Sequence, residues 1–212
     1  MKSLISVFLM FFIGLTGKAQ SRFDAGLLLG LNGANFIGEP HVMKNIFNAI
    51  SDDSKILLGY NAGVFIEHPI KGNFSARIEI KYNLRGLKSE YYFKEGDYQF
   101  AVPYSIRLHC LEVPLILNYR IALKKRTHNF YAGFVPGRIA SAIFYDSYYE
   151  ENHKDKRFKK AEYGMTVGYL TLIGRQIYLN LSLSITGNSI YDNKNISIQS
   201  KVSSLTLEYH FK

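Results

Sequence analysis

The chain has 212 residues, a formal charge of +9, 15% aromatic residues with no tryptophan, and one cysteine. That length allows one domain with a sizeable closed sheet, and Cys110 alone excludes an internal disulfide framework. The basic residues are scattered and accompany no recognition motif, which argues against a nucleic-acid partner.

Residues 1–19 read as a secretory signal peptide. Lys2 supplies the positive start, residues 4–15 the apolar run, and Gly17-Lys18-Ala19 a small-x-small cleavage site. The apolar run is shorter than the roughly 20 residues a membrane-spanning helix needs. The remainder, 20–212, is expected to form one domain.

The mature chain opens on alternation: Phe23, Ala25, Leu27, Leu29 and Leu31 oppose Asp24, Gly26, Leu28, Gly30 and Asn32. Successive strand side chains point to opposite faces, so this is a strand. Residues 33–56 break the pattern as a long loop, with a short helix expected over 41–50. A second strand follows, with Leu58, Tyr60, Ala62, Val64 and Ile66 on its apolar face, and then a tight turn at 69–72.

The third strand, 73–85, sets Phe74, Ala76, Ile78, Ile80, Tyr82 and Leu84 against Ser75, Arg77, Glu79, Lys81, Asn83 and Arg85. A solvated antiparallel sheet gives the same alternation, but it needs another element to cover its apolar face. The sequence offers no amphipathic helix for that task, and lipid would serve instead.

Residues 88–103 are expected to be a second long loop. The fourth strand, 104–121, shows a phase slip, because Tyr104, Ile106 and Leu108 are even while Leu111, Val113, Leu115, Leu117 and Tyr119 are odd. A β-bulge near His109-Cys110 would restore one facing. Pro114 then sits awkwardly on the polar face. The fifth strand, 129–140, is irregular, with two glycines and Pro136, and its facing is left open. Residues 141–157 form a third long loop. The sixth strand, 160–172, places Tyr163, Met165, Val167 and Tyr169 on one face, and 173–175 turn tightly into the cleanest alternation of the chain, QIYLNLSLSIT at 176–186. A fourth long connection, 187–197, leads to a last strand with Leu205, Leu207, Tyr209 and Phe211 on one side.

Long and short connections thus alternate. An up-and-down meander puts them at opposite rims, which is the asymmetry of outer-membrane barrels, with short periplasmic turns and long extracellular loops. The expected fold is all-β: an eight-stranded antiparallel up-and-down transmembrane β-barrel in the outer membrane, surrounded by lipid and monomeric. Closure removes the edges an exported sheet would otherwise expose.

The motifs LLLGLNGANF at 27–36, LGYNAGVFIE at 58–67, LEVPLILNY at 111–119, YAGFVPG at 131–137 and AEYGMTVGY at 161–169, with the ending EYHF, occur in an order that resembles the PorT-like outer-membrane β-barrel family of Bacteroidota. The resemblance implies a fold and a location, and raises a secretion-associated role as one alternative. It carries over no functional residue.

Candidate sites are few. The six histidines have no metal-ligand spacing and no Gly-rich phosphate loop precedes a helix, so no cofactor or metal is expected. Ser105, His109 and Glu112 share a strand but lack an oriented base and an oxyanion site, and the chain is not read as an enzyme. The inward charges carry more information. Asp24, Glu67, Glu79, Glu112, Glu162 and Glu208 are expected to meet Arg77, Lys81, Arg85, Arg107 and Arg120 in a lumen only wide enough for its own side chains. That favours a filled, structural lumen over a small-solute channel. Loop aromatics, including Tyr91, Tyr92, Tyr98, Tyr145, Tyr148 and Tyr149, are expected to supply an interfacial girdle and a recognition surface for an extracellular protein or glycan.

Overall fold

The computed structural model describes residues 23–38, 55–95, 97–123, 126–146, 152–154, 158, 160–189 and 198–211. The signal peptide expected over 1–19, the helix expected over 41–50, and Tyr148 and Tyr149 lie outside them.

Among the described residues ten strands form one antiparallel sheet: β1 Asp24–Gly38, β2 Lys55–Lys71, β3 Phe74–Glu95, β4 Tyr98–Glu112, β5 Leu115–Leu123, β6 Arg126–Asp146, β7 Asn152–Lys154, β8 Ala161–Leu172, β9 Ile177–Thr186 and β10 Ile198–Phe211. β4 and β5 are one wall strand interrupted at Pro114, which has no N–H to give. Around it the ladder is kept by Val113 N–H donating to Pro136 O at 2.9 Å and Glu79 N–H donating to Pro114 O at 3.0 Å. β7 is a short outer ribbon on β6. The wall therefore has eight strands, and it closes where β1 pairs with both β2 and β10.

Alternation decides the facing almost everywhere. On β1, β2, β3, β8, β9 and β10 the apolar series points outward, with Leu29 66%, Leu58 83% and Met165 69% exposed. A water-facing surface does not carry so continuous an apolar belt; a bilayer covers one about 25 Å tall. Aromatic pairs flank it. Phe74 with Tyr119 at 4.9 Å and Phe130 with Tyr169 at 5.2 Å stand near the short-turn rim, and Tyr60 with Tyr82 at 5.7 Å stands toward the other. Among the described residues these strand positions place aromatic rings at both ends of the belt. At Ile80, 54% exposed in this belt, arginine is expected to cost about 2–4 kcal/mol. Serine replaced by threonine at lumen-facing Ser75 should cost much less, and denaturant midpoints of the two refolded variants in the same detergent check this.

Several loop assignments are corrected. Residues 88–103, expected as a loop, continue β3 and β4 as a paired ribbon, from Lys88↔Ser105 to Glu95↔Tyr98. The expected third loop is strand through Asp146, with β7 paired to Ile143, Phe144 and Tyr145. Cross-strand hydrogen bonds satisfy these polar, tyrosine-rich stretches without needing an apolar alternation.

The fourth strand has no phase slip. Tyr104, Ile106, Leu108, Cys110, Glu112, Pro114 and Ile116 all point inward in one unbroken series. A register irregularity does lie at His109/Cys110, but the extra residue is Ala140 on β6, between the partners Ile139 and Ser141. That bulge switches the inward positions of β6 from Val135, Gly137 and Ile139 to Ala142 and Phe144, which settles the facing that the sequence left open. Gly86 is needed where two strands press together: a Cβ there would lie 1.8 Å from Ile106 O.

Candidate functional site

The lumen is built mainly by β3. From the short-turn rim outward its inward positions read Ser75, Arg77, Glu79, Lys81, Asn83, Arg85, Leu87 and Ser89. Neighbouring strands bring acids to the same levels. Arg77 donates to Glu208 at 2.7 Å and pairs with Glu79 at 2.8 Å, while its guanidinium lies 3.8 Å over the Phe65 ring. Glu208 also accepts from Asn180 at 2.6 Å, and Asn180 in turn accepts from Tyr131 OH at 2.8 Å. One level up, Lys81 and Arg85 reach Glu112 at 3.4 and 3.3 Å, and Arg85 also pairs with Glu162. Asn83 donates to Glu112 at 3.0 Å and accepts from Asn32 at 2.6 Å. Near the rim, Glu67 accepts from Ser75 and lies 3.8 Å from Arg120, whose side chain is half exposed.

The structure thus brings together Arg77, Glu79, Lys81, Arg85, Glu112, Glu162 and Glu208. Asp24 sits beside Glu67 in the register at the short-turn rim, partly exposed. Arg107 is a correction: it occupies an outward position of β4 and packs over the Tyr145 ring at 4.7 Å. Even numbering sets the inward face of that strand, and Arg107 is odd. Ser105 and His109 also face outward, whereas Glu112 faces the lumen, so these three do not assemble.

Above Arg85 the lumen turns apolar. Leu87, Val102, Tyr104, Ile106, Leu108, Cys110, Ile139, Ala142, Phe144, Phe158 and Ile198 form one buried cluster, with Phe36 against it. The sequence reading missed this tier. Its signal is the even series Tyr104, Ile106, Leu108, which alternation alone cannot distinguish from a lipid-facing stripe. Lower down, a small cavity lined by residues including Glu79, Lys81, Tyr131, Asn180 and Glu208 offers about 10 Å³ to the centre of a water, room for about one molecule. None of its lining residues belongs to the apolar tier. Among the described residues no three His, Cys, Asp or Glu side chains are grouped to hold a metal ion.

Of the aromatics expected to form a recognition surface, Tyr98 is 72% exposed near the ribbon tip and stacks on Phe100 at 6.4 Å. Tyr91 and Tyr92 lie in the same ribbon, paired with Val102 and Ala101. Tyr145 lies on β6, under Arg107.

An eight-stranded closed wall, an apolar belt outside and a filled polar lumen inside define a small transmembrane β-barrel. The chain belongs to the Outer membrane protein beta-barrel domain family, which it matches over residues 18–192, and its place is the outer membrane. Among solved structures it is similar to Neisserial surface protein A (NspA), at 10% identity, covering 91% of this chain and 100% of that one with a TM-score of 0.49. It is also similar to Ail, the attachment invasion locus protein of Yersinia pestis, at 11% identity, 90% and 99% coverage and a TM-score of 0.47. A third is OprG of Pseudomonas aeruginosa, at 9% identity, 90% and 97% coverage and a TM-score of 0.41. No curated protein matches the chain.

Proposed function

We propose that this protein is a closed, monomeric barrel with a structural and surface-binding role, exported by a cleaved signal at 1–19, and neither a pore nor an enzyme. The observation that carries the reading is the two-tier filling of the lumen: the ion pairs of Arg77 with Glu79 and Glu208 and of Arg85 with Glu112 and Glu162 below, and the Leu108-centred apolar cluster above. An eight-stranded barrel is just wide enough for such side chains to fill. Binding is assigned to the projecting ribbon of β3 and β4, whose exposed Tyr98 and Phe100 suit an extracellular protein or glycan. The order of sequence motifs supports placing the chain in the PorT-like branch of Bacteroidota barrels, and with it a secretion-associated role as the second reading.

The test is electrical. The wild-type barrel in a planar bilayer is expected to show no stable, ion-selective conductance. A steady conductance from the folded protein would overturn the closed reading in favour of a small-solute channel.

A further inference from the structure

The outward wall formed by β3, β4, β6 and β8 changes character at its outer end. Below, it presents Ile80, Val113, Phe134 and Tyr163. Above, on the same faces, it presents Lys88, Arg107, His109 and Arg138, and Lys160 just before β8 is exposed beside them. The register holds the cations close to one another. Arg107 is opposite Gly86, so Lys88 is its diagonal neighbour, about 7–8 Å away. Arg138 is opposite Leu111, four positions from Arg107 along β4 and hence about 13 Å along the strand. Arg138 also pairs with Ala161, and Ile139 N–H donates to Lys160 O at 2.8 Å, which sets Lys160 beside Arg138.

Among the described residues no carboxylate pairs with Lys88, Arg107, Arg138 or Lys160. The nearby acid on β3, Glu90, is held by Lys55 at 2.6 Å. The Tyr145 ring, 4.7 Å from Arg107, supports that guanidinium against the wall. Among the described residues this leaves a row of cations without a carboxylate partner at the outer end of the apolar belt.

We propose that this wall binds the phosphates of an outer-leaflet lipid headgroup, with Arg107 and Arg138 as the two principal contacts and Lys88 and Lys160 flanking them. Arginine's planar fork suits bidentate phosphate recognition, and basic clusters beside a membrane surface recognise anionic headgroups. The separation of the two arginines suits a headgroup with two phosphates. Continuity with the apolar belt identifies the occupant as a lipid rather than a soluble anion, because acyl chains would lie along Val113, Phe134 and Tyr163 below.

The full barrel, folded in a zwitterionic detergent, is titrated with a bis-phosphorylated acylated diglucosamine lipid, and bound copies are counted by native mass spectrometry. Discrete adducts are expected with the wild type. The R107Q/R138Q variant should weaken them about tenfold or more, while K71Q/R175Q at the opposite rim should not. The dephosphorylated lipid is expected to bind the wild type as weakly as the phosphorylated lipid binds R107Q/R138Q, an arm that requires no variant to fold. Equal binding of the two lipids, or equal binding by wild type and R107Q/R138Q, would overturn the proposal. So would displacement of the lipid by equimolar inorganic phosphate, which would mark a site for a soluble anion. Heat-modifiable migration on a gel verifies that each variant is a closed barrel.

Discussion

Replacing Arg77 with alanine is expected to lower the stability of the folded barrel by about 3–5 kcal/mol, the range for removing one partner of a buried ion pair. Arg77 is 3% exposed and is the cation shared by Glu79 and Glu208, which are 5% and 1% exposed. The lumen has little positive charge to spare. Arg77, Lys81 and Arg85 face the buried glutamates 79, 112, 162 and 208, while Glu67 has Arg120 at the rim, so removing Arg77 leaves two cations for four acids. Its loss also uncovers the Phe65 ring on which it packs. The cost belongs to the stranded carboxylates rather than to any strength of the pair itself, and this gives the prediction its second arm. R77M/E208L removes the charges of that pair and fills their space with apolar atoms, so it should recover the part of the loss that belongs to Glu208, with Glu79 still stranded. Denaturant midpoints of the wild type, R77M, E208L and the double variant, read as a thermodynamic cycle with R77A beside them, check this. A double variant no more stable than the additive sum of the singles would show that Arg77 and Glu208 are not coupled.

The wall of the barrel was largely legible in the sequence, because period-two alternation survives wherever one face meets lipid and the other meets polar side chains. The outward series on β1, β2, β3, β8, β9 and β10 can be read directly from the chain. The charged side of the lumen was legible for the same reason: Arg77, Glu79, Lys81 and Arg85 stand two residues apart on β3. Their neutral partners were not, since nothing in the spacing of Asn180, Tyr131 or Asn32 reveals which strand each will meet across the lumen. The ribbons were hidden differently. The 88–103 stretch is strand because its backbone groups pair with each other beyond the membrane, where no lipid imposes an alternation of side chains.

Leu108 carries the part of the structure that alternation misread, and Leu108→Ala is expected to destabilise the barrel by about 2–5 kcal/mol. Alternation tells which residues share a face but not what that face meets, so Tyr104, Ile106 and Leu108 look like a lipid-facing stripe out of phase with Leu111 to Tyr119. The bulge at Ala140 lies on the partner strand, in a run of small and aliphatic residues with no local sign of it. Were Leu108 lipid-facing, truncation would leave no cavity and acyl chains would fill the space. In the structure it is 0% exposed, packed within the cluster that also holds Ile106, Cys110, Ile139 and Ala142, so the lost contacts leave a void that the close-packed surroundings refill only in part. Leu111→Ala, three residues along the same strand and 49% exposed on the outer face, is the matched comparison in one detergent. A loss at Leu108 several times that at Leu111 is the expected result, and equal losses would return the fourth strand to the lipid-facing reading and leave the lumen without its apolar tier.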